Sequence, residues 1–180
     1  MSHVIWSLLL ATLTLAAATP NRAIPVTDTP WPRGVAAPRP APLAPMVDAL
    51  LTVHLLDRAA FALTAEQVLT VRGVLSSLSR PNLTAAQAGQ LTRRLLGALT
   101  PEQLATLQAD RAALYQRTQA FMARARVAED GPQDLTVVRY GLMVPGGRAA
   151  AQVALQGRTP FGLPEPAALL KRLQQRLTQP

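Results

Sequence analysis

Leu63-Thr-Ala-Glu-Gln67, Leu83-Thr-Ala-Ala-Gln87 and Leu99-Thr-Pro-Glu-Gln103 write one pentad, Leu-Thr-x-x-Gln, three times between residues 63 and 103. Each copy is a helix start. The Thr hydroxyl at the N-cap accepts from an amide that has no partner inside the helix. The Gln three residues on reaches back to the cap residue's own N–H, completing a capping box. The preceding Leu is placed to pack on the residue four further along the helix, which is Val68, Ala88 or Leu104. Pro101 adds a first-turn proline to the third copy, where its missing N–H costs nothing. Helices are therefore predicted to begin near Thr64, Thr84 and Thr100.

Working outward, Val47, Leu50, Leu51, His54, Leu55 and Arg58 recur at spacings of three and four, predicting a helix from about Pro45 to Phe61. The helix from Thr64 should stop near Ser79, because Pro81 disfavours helical conformation in the residue before it. That from Thr84 should reach about Ala98, and that from Pro101 about Val127, which makes it the longest. Beyond Glu129-Asp-Gly-Pro132 the pattern weakens. Leu135-Thr136 with Arg139 is a broken copy of the pentad and points to a short helix, while Pro145-Gly-Gly147 and Gly157-Arg-Thr-Pro160 are turns.

The fold class is thus all-α: antiparallel helical hairpins or a small bundle of about four helices, one of them long, with an irregular tail that ends in a short helix. The domain organisation expected is a signal peptide over 1–18, a Pro-rich disordered linker over 19–45 and a helical domain over 46–127. A loop-rich segment over 128–165 and a short amphipathic helix over 166–178 follow. Val4–Ala18 is an apolar run with a small-x-small end at Ala16-Ala17-Ala18, although only His3 precedes it as a basic residue. Eight prolines over 19–45 exclude helix and sheet ladders there. Export to the periplasm or cell envelope is expected, with no membrane association beyond the cleaved signal.

The 180 residues contain no Cys, which excludes disulfides, thiolate metal sites and cysteine nucleophiles. Three Phe, two Tyr and two Trp leave a core of Leu, Val and Ala. The net charge of +8 favours acidic partners. The Arg residues are scattered and no recognition helix or RNA-binding signature is present, so nucleic acid is not an expected partner. His54 stands alone on the first helix, no Gly-x-Ser-x-Gly turn occurs, and Glu66 and Glu102 sit in first helical turns where the helix dipole accounts for them. No enzyme, metal or cofactor is expected.

The surface of the long helix carries what chemistry remains. Leu104, Leu107, Leu114, Tyr115, Thr118, Phe121, Met122 and Ala125 share one stripe, with Arg111 near its middle. In one reading Arg111 snorkels, its stem covering apolar neighbours. In the other, Arg111, Leu114, Tyr115, Thr118, Phe121 and Met122 make an open face, apolar and positive together, that holds a client or partner, with adaptable Met helping.

The pentads on an exported, cysteine-free, Arg-rich helical chain resemble the LTXXQ-motif family of Spy- and CpxP-like periplasmic proteins. The resemblance spans roughly residues 46–127 and rests on Leu63, Thr64 and Gln67 and on Leu99, Thr100 and Gln103; Leu83, Thr84 and Gln87 form a third copy where the family has two. It implies cradle-shaped dimers whose basic, partly apolar concave face binds client proteins without ATP. The chain departs from that pattern in its shorter early helices, interrupted by Pro81, Gly73, Gly89 and Gly97, and in the tail beyond residue 128. The function expected is therefore binding, as an ATP-independent chaperone or envelope-stress adaptor with a protein partner or unfolded client, and with homodimerisation possible. The alternative is a structural or interaction module with one dedicated partner and no general client binding.

Overall fold

A computed structural model describes residues 43–125 and 134–178. The signal and linker expected before residue 43, the last residues of the long helix and the Glu129–Pro132 break lie outside the described residues. Seven α-helices follow one another: α1 Pro45–Arg58, α2 Ala65–Leu78, α3 Ala85–Gly97, α4 Pro101–Arg124, α5 Leu135–Gly141, α6 Gly147–Leu155 and α7 Pro164–Arg176, with a 3-10 turn at Pro160–Gly162. Among the described residues there is no strand, and no helix is long and apolar enough to cross a membrane.

The three pentads start α2, α3 and α4 as their chemistry requires. Thr64, Thr84 and Thr100 are extended N-caps, each hydroxyl accepting from the Gln amide at 3.3 Å and each Gln Oε1 accepting from the cap amide at 2.9 Å. Leu63, Leu83 and Leu99 turn inward against the core. In the first turn of α4, the backbone amide of Glu102, and after it the Thr100 hydroxyl, hold the Glu102 carboxyl below its ordinary range. Helices α1 and α7 have no side-chain cap and instead begin on Pro45 and Pro164.

Helix α1 is the axis of the fold. Nine of its fourteen residues are buried, on every side of the helix, and it packs against α3, α4, α6 and α7. Only Pro45, Asp48, His54, Asp57 and Arg58 escape burial. Helices α2 and α3 form an antiparallel hairpin, since the start of α2 lies at the end of α3: Gln67 Nε2 donates to the Ala98 carbonyl at 2.9 Å. Helix α4 runs beside α1 in the same direction. Arg111 meets Asp48 and Thr52, while one to two turns on His54 and Arg58 face Leu114, Arg117 and Phe121.

The expected loop-rich segment holds two helices, so that boundary is corrected. Asp134 caps α5, its carboxylate accepting from the Thr136 and Val137 amides. Helix α6 buries Ala150, Ala151 and Ala154, a stripe of methyl groups that apolar periodicity in the sequence does not flag. Two glycines set this corner. A Cβ at Gly141 would stand 2.8 Å from the Arg148 backbone nitrogen, which is how closely α5 and α6 cross. Gly146, at φ 84°, is left-handed, and its amide donates to Glu165 at the start of α7 at 2.6 Å.

Two ion-pair sets fix α1 to its neighbours. Asp57 accepts from Arg172 at 2.7 Å and lies 3.9 Å from Arg176. Arg176 also donates to the Leu56 and Asp57 carbonyls, supplying partners for the exposed C-terminal carbonyls of α1. At the other end Arg111 donates to Asp48 at 2.6 Å and to the Thr52 hydroxyl at 2.9 Å.

Candidate functional site

The pentads do more than start helices. Those of α2 and α4 meet, and their glutamines exchange bonds reciprocally. Gln67 Nε2 donates to Gln103 Oε1 at 2.8 Å and to the carbonyl of Ala98, one residue before Leu99. Gln103 Nε2 donates to Gln67 Oε1 at 3.3 Å and, at 2.9 Å, to the carbonyl of Ala62, one residue before Leu63. The joint is pseudo-two-fold: each motif gives the other what it receives. Gln87 makes only its own capping box and stays exposed. Leu63, Thr64, Gln67, Leu99, Thr100 and Gln103 are thus one tertiary joint, and Leu83, Thr84 and Gln87 a solitary cap. These nine residues are structural rather than chemical.

The open stripe expected on α4 is corrected by the burial pattern. Thr118 and Met122 are buried, and Leu114 and Tyr115 pack partly buried against the core. Arg111 holds Asp48, and the Arg139 guanidinium carbon lies 6.0 Å from the Tyr115 ring centroid. The stripe is the face by which α4 attaches to α1 and α5, because a helix with so few large apolar residues has to use them for packing. Phe121 alone of the six remains open, 50% exposed.

The Asp48–Arg111 side chains are 26% and 32% exposed, so solvent screens the pair. A double-mutant cycle of Asp48→Asn with Arg111→Met should return a coupling of about 1 kcal/mol by chemical denaturation, smaller in 1 M salt.

The open chemistry lies in a groove between α1 and α4, closed at one end by Leu142 at the end of α5. It encloses about 420 Å³. Leu55, Leu114 and Thr118 form its floor, and Phe121 and Leu142 its apolar rim. His54 and Arg58 enter from α1, and Asp110 and Arg117 from α4. Among the described residues no carboxylate pairs with Arg58 or Arg117, since Asp48 and Asp57 are taken by Arg111, Arg172 and Arg176. Of the residues the sequence points to for a site, Leu114, Thr118 and Phe121 line this groove, while Arg58, Arg117 and Asp110 are not among them. The i, i+4 spacing of His54 and Arg58 is the signal that puts two polar groups on one face of an otherwise buried helix.

His54 is half-buried, and its Nδ1 is a buried atom without a hydrogen-bond partner among the described residues. Burial lowers its pKa first, and Arg58 and Arg172 add to this against the opposing Asp57 carboxylate; Asp110 and Arg117 face the same groove from α4. The unfolded chain therefore takes up a proton near the ordinary 6.5 while the folded chain still excludes it. Folding stability should fall as pH drops from 7 to 5, and His54→Gln should flatten that slope in denaturation curves at pH 5, 6 and 7.

The chain matches no family model, no curated protein and no solved structure. Among the described residues no group of three or more His, Cys, Asp or Glu could hold a metal ion. Two cations, an imidazole and an apolar wall in one concavity suit an anionic amphipathic surface.

Proposed function

We propose that this chain is an exported helical protein of the cell envelope that acts by binding, without ATP, as a chaperone or envelope-stress adaptor of the LTXXQ kind. The observation that carries the proposal is the α1–α4 groove, in which Arg58 and Arg117 stand beside Phe121 and Leu142. Two of the four exposed large hydrophobic side chains among the described residues belong to this one groove. Exposed apolar area rimmed by charge marks a surface kept open for another molecule. The likeness to the LTXXQ family rests on the pentads alone, and the reading of export rests on the apolar run ahead of the Pro-rich linker.

The full chain, mixed at equimolar ratio with a chemically denatured client, should slow the client's aggregation as followed by light scattering. Unchanged aggregation would remove the chaperone reading. A second reading, one dedicated partner and no general client binding, is favoured by the engagement of Arg111: the cation expected on the open client face is held by Asp48 and Thr52. Cross-linking in the native envelope separates the two, since a dedicated partner gives one saturable product and a chaperone gives many.

A further inference from the structure

We infer that the α1–α4 groove receives an acidic amphipathic segment of the partner protein, with its carboxylate between Arg58 and Arg117 and a neighbouring apolar side chain against Leu114, Phe121 and Leu142. The inference rests on the binding role proposed above and names the chemistry of the occupant. Two independent observations converge on it.

The first is charge. Helix α1 carries two carboxylates, and neither lines the groove: Asp48 is held by Arg111, and Asp57 by Arg172 and Arg176. The groove retains two guanidinium groups against the single carboxylate of Asp110, in a chain of net charge +8. A carboxylate entering it gains charge-assisted hydrogen bonds that no described residue supplies. The second is the apolar rim. Phe121 on α4 is 50% exposed and Leu142, just after α5, is 44% exposed, and both line the groove. An apolar side chain laid between them covers both. A peptide meets both demands, because it sets a carboxylate and an apolar side chain within a few ångströms of one another.

The test uses the full chain and three fluorescein-labelled synthetic peptides of twelve residues, identical except that three leucine-flanked positions are Glu, Gln or Lys. Fluorescence anisotropy in 150 mM salt should show the Glu peptide bound about tenfold more tightly than the Gln peptide, with the Lys peptide weaker still. Arg58→Glu with Arg117→Glu should abolish that preference. Arg80→Glu with Arg94→Glu, the same charge change in a second groove lined by α2, α3 and the loop between them, should preserve it, and Phe121→Ala should weaken Glu and Gln peptides alike. Equal binding of Glu and Gln peptides overturns the inference. So does an equal loss in the Arg80/Arg94 variant, which would report net charge or the α2–α3 groove in place of the α1–α4 groove. Tight binding to anionic phospholipid vesicles that requires Arg58 and Arg117, with no peptide bound, assigns the groove to a membrane and likewise overturns it. Suppression of client aggregation without peptide discrimination overturns the inference while leaving the broader binding role in place.

Discussion

Leu50→Ala should lower the stability of the folded unit by about 2–5 kcal/mol, whereas Leu69→Ala should leave it within about 0.5 kcal/mol. Both are leucines in helices of equal length, so the contrast isolates position. Leu50 is fully buried in α1, which other helices surround, and truncating it opens a cavity whose walls belong to several elements at once. Leu69 is 68% exposed on α2. Among the described residues the core is Leu, Val and Ala with Phe161 as its one buried aromatic, and only Met46 and Met143 are flexible enough to relax part of the way into such a hole. Domain stabilities are only about 5–15 kcal/mol, so the Leu50 variant should sit close to unfolding at 37 °C. Urea denaturation followed by far-ultraviolet circular dichroism checks both values.

Gln67→Ala should cost about 2–3 kcal/mol and Gln87→Ala about 0.5 kcal/mol, although both glutamines complete the same capping box in the same pentad. Losing Gln67 removes a cap bond, leaves the Ala98 carbonyl without its donor and strands Gln103. Losing Gln87 removes only an exposed cap bond. The cycle Gln67→Ala with Gln103→Ala should give a coupling of about 1 kcal/mol, since the two share reciprocal bonds. Gln67→Glu sharpens the test. It keeps an oxygen for the Thr64 amide but loses both amide donors, so it should be nearly as damaging as alanine if the joint matters and nearly silent if capping is all the residue does.

The contrast between those glutamines also marks what could be read in the chain. Helix starts at 64, 84 and 100 follow from local chemistry, as hydroxyl, amide and leucine lie within five residues of one another, and each is found where expected. The pairing of Gln67 with Gln103 crosses 36 residues. The clue in the sequence is that a capping Gln uses its oxygen and leaves its NH2 unspent, but three copies offer three pairings and nothing local chooses among them. Helix α6 escaped notice because Ala150, Ala151 and Ala154 carry its buried face, and alanine scores as neutral in a search for large apolar stripes. The α4 stripe was legible as a pattern and misjudged in its use. Asp48 and Thr52, the partners of Arg111, lie about sixty residues upstream, and only the fold brings them near. The groove was hidden for the same reason: its two arginines stand on helices that are not neighbours in sequence.

The glutamine joint gathers the front of α2, the rear of α3 and the front of α4 at a single point, while residues 79–82 at the opposite end of the hairpin are exposed. Fraying in this hairpin is accordingly one-sided. Amide hydrogens around Ser79–Thr84 should exchange with solvent well before those near Gln67 and Leu99, so that α2 and α3 part like a jaw hinged at the pentads, and a protease probing the native protein should cut first at the tip rather than at the hinge.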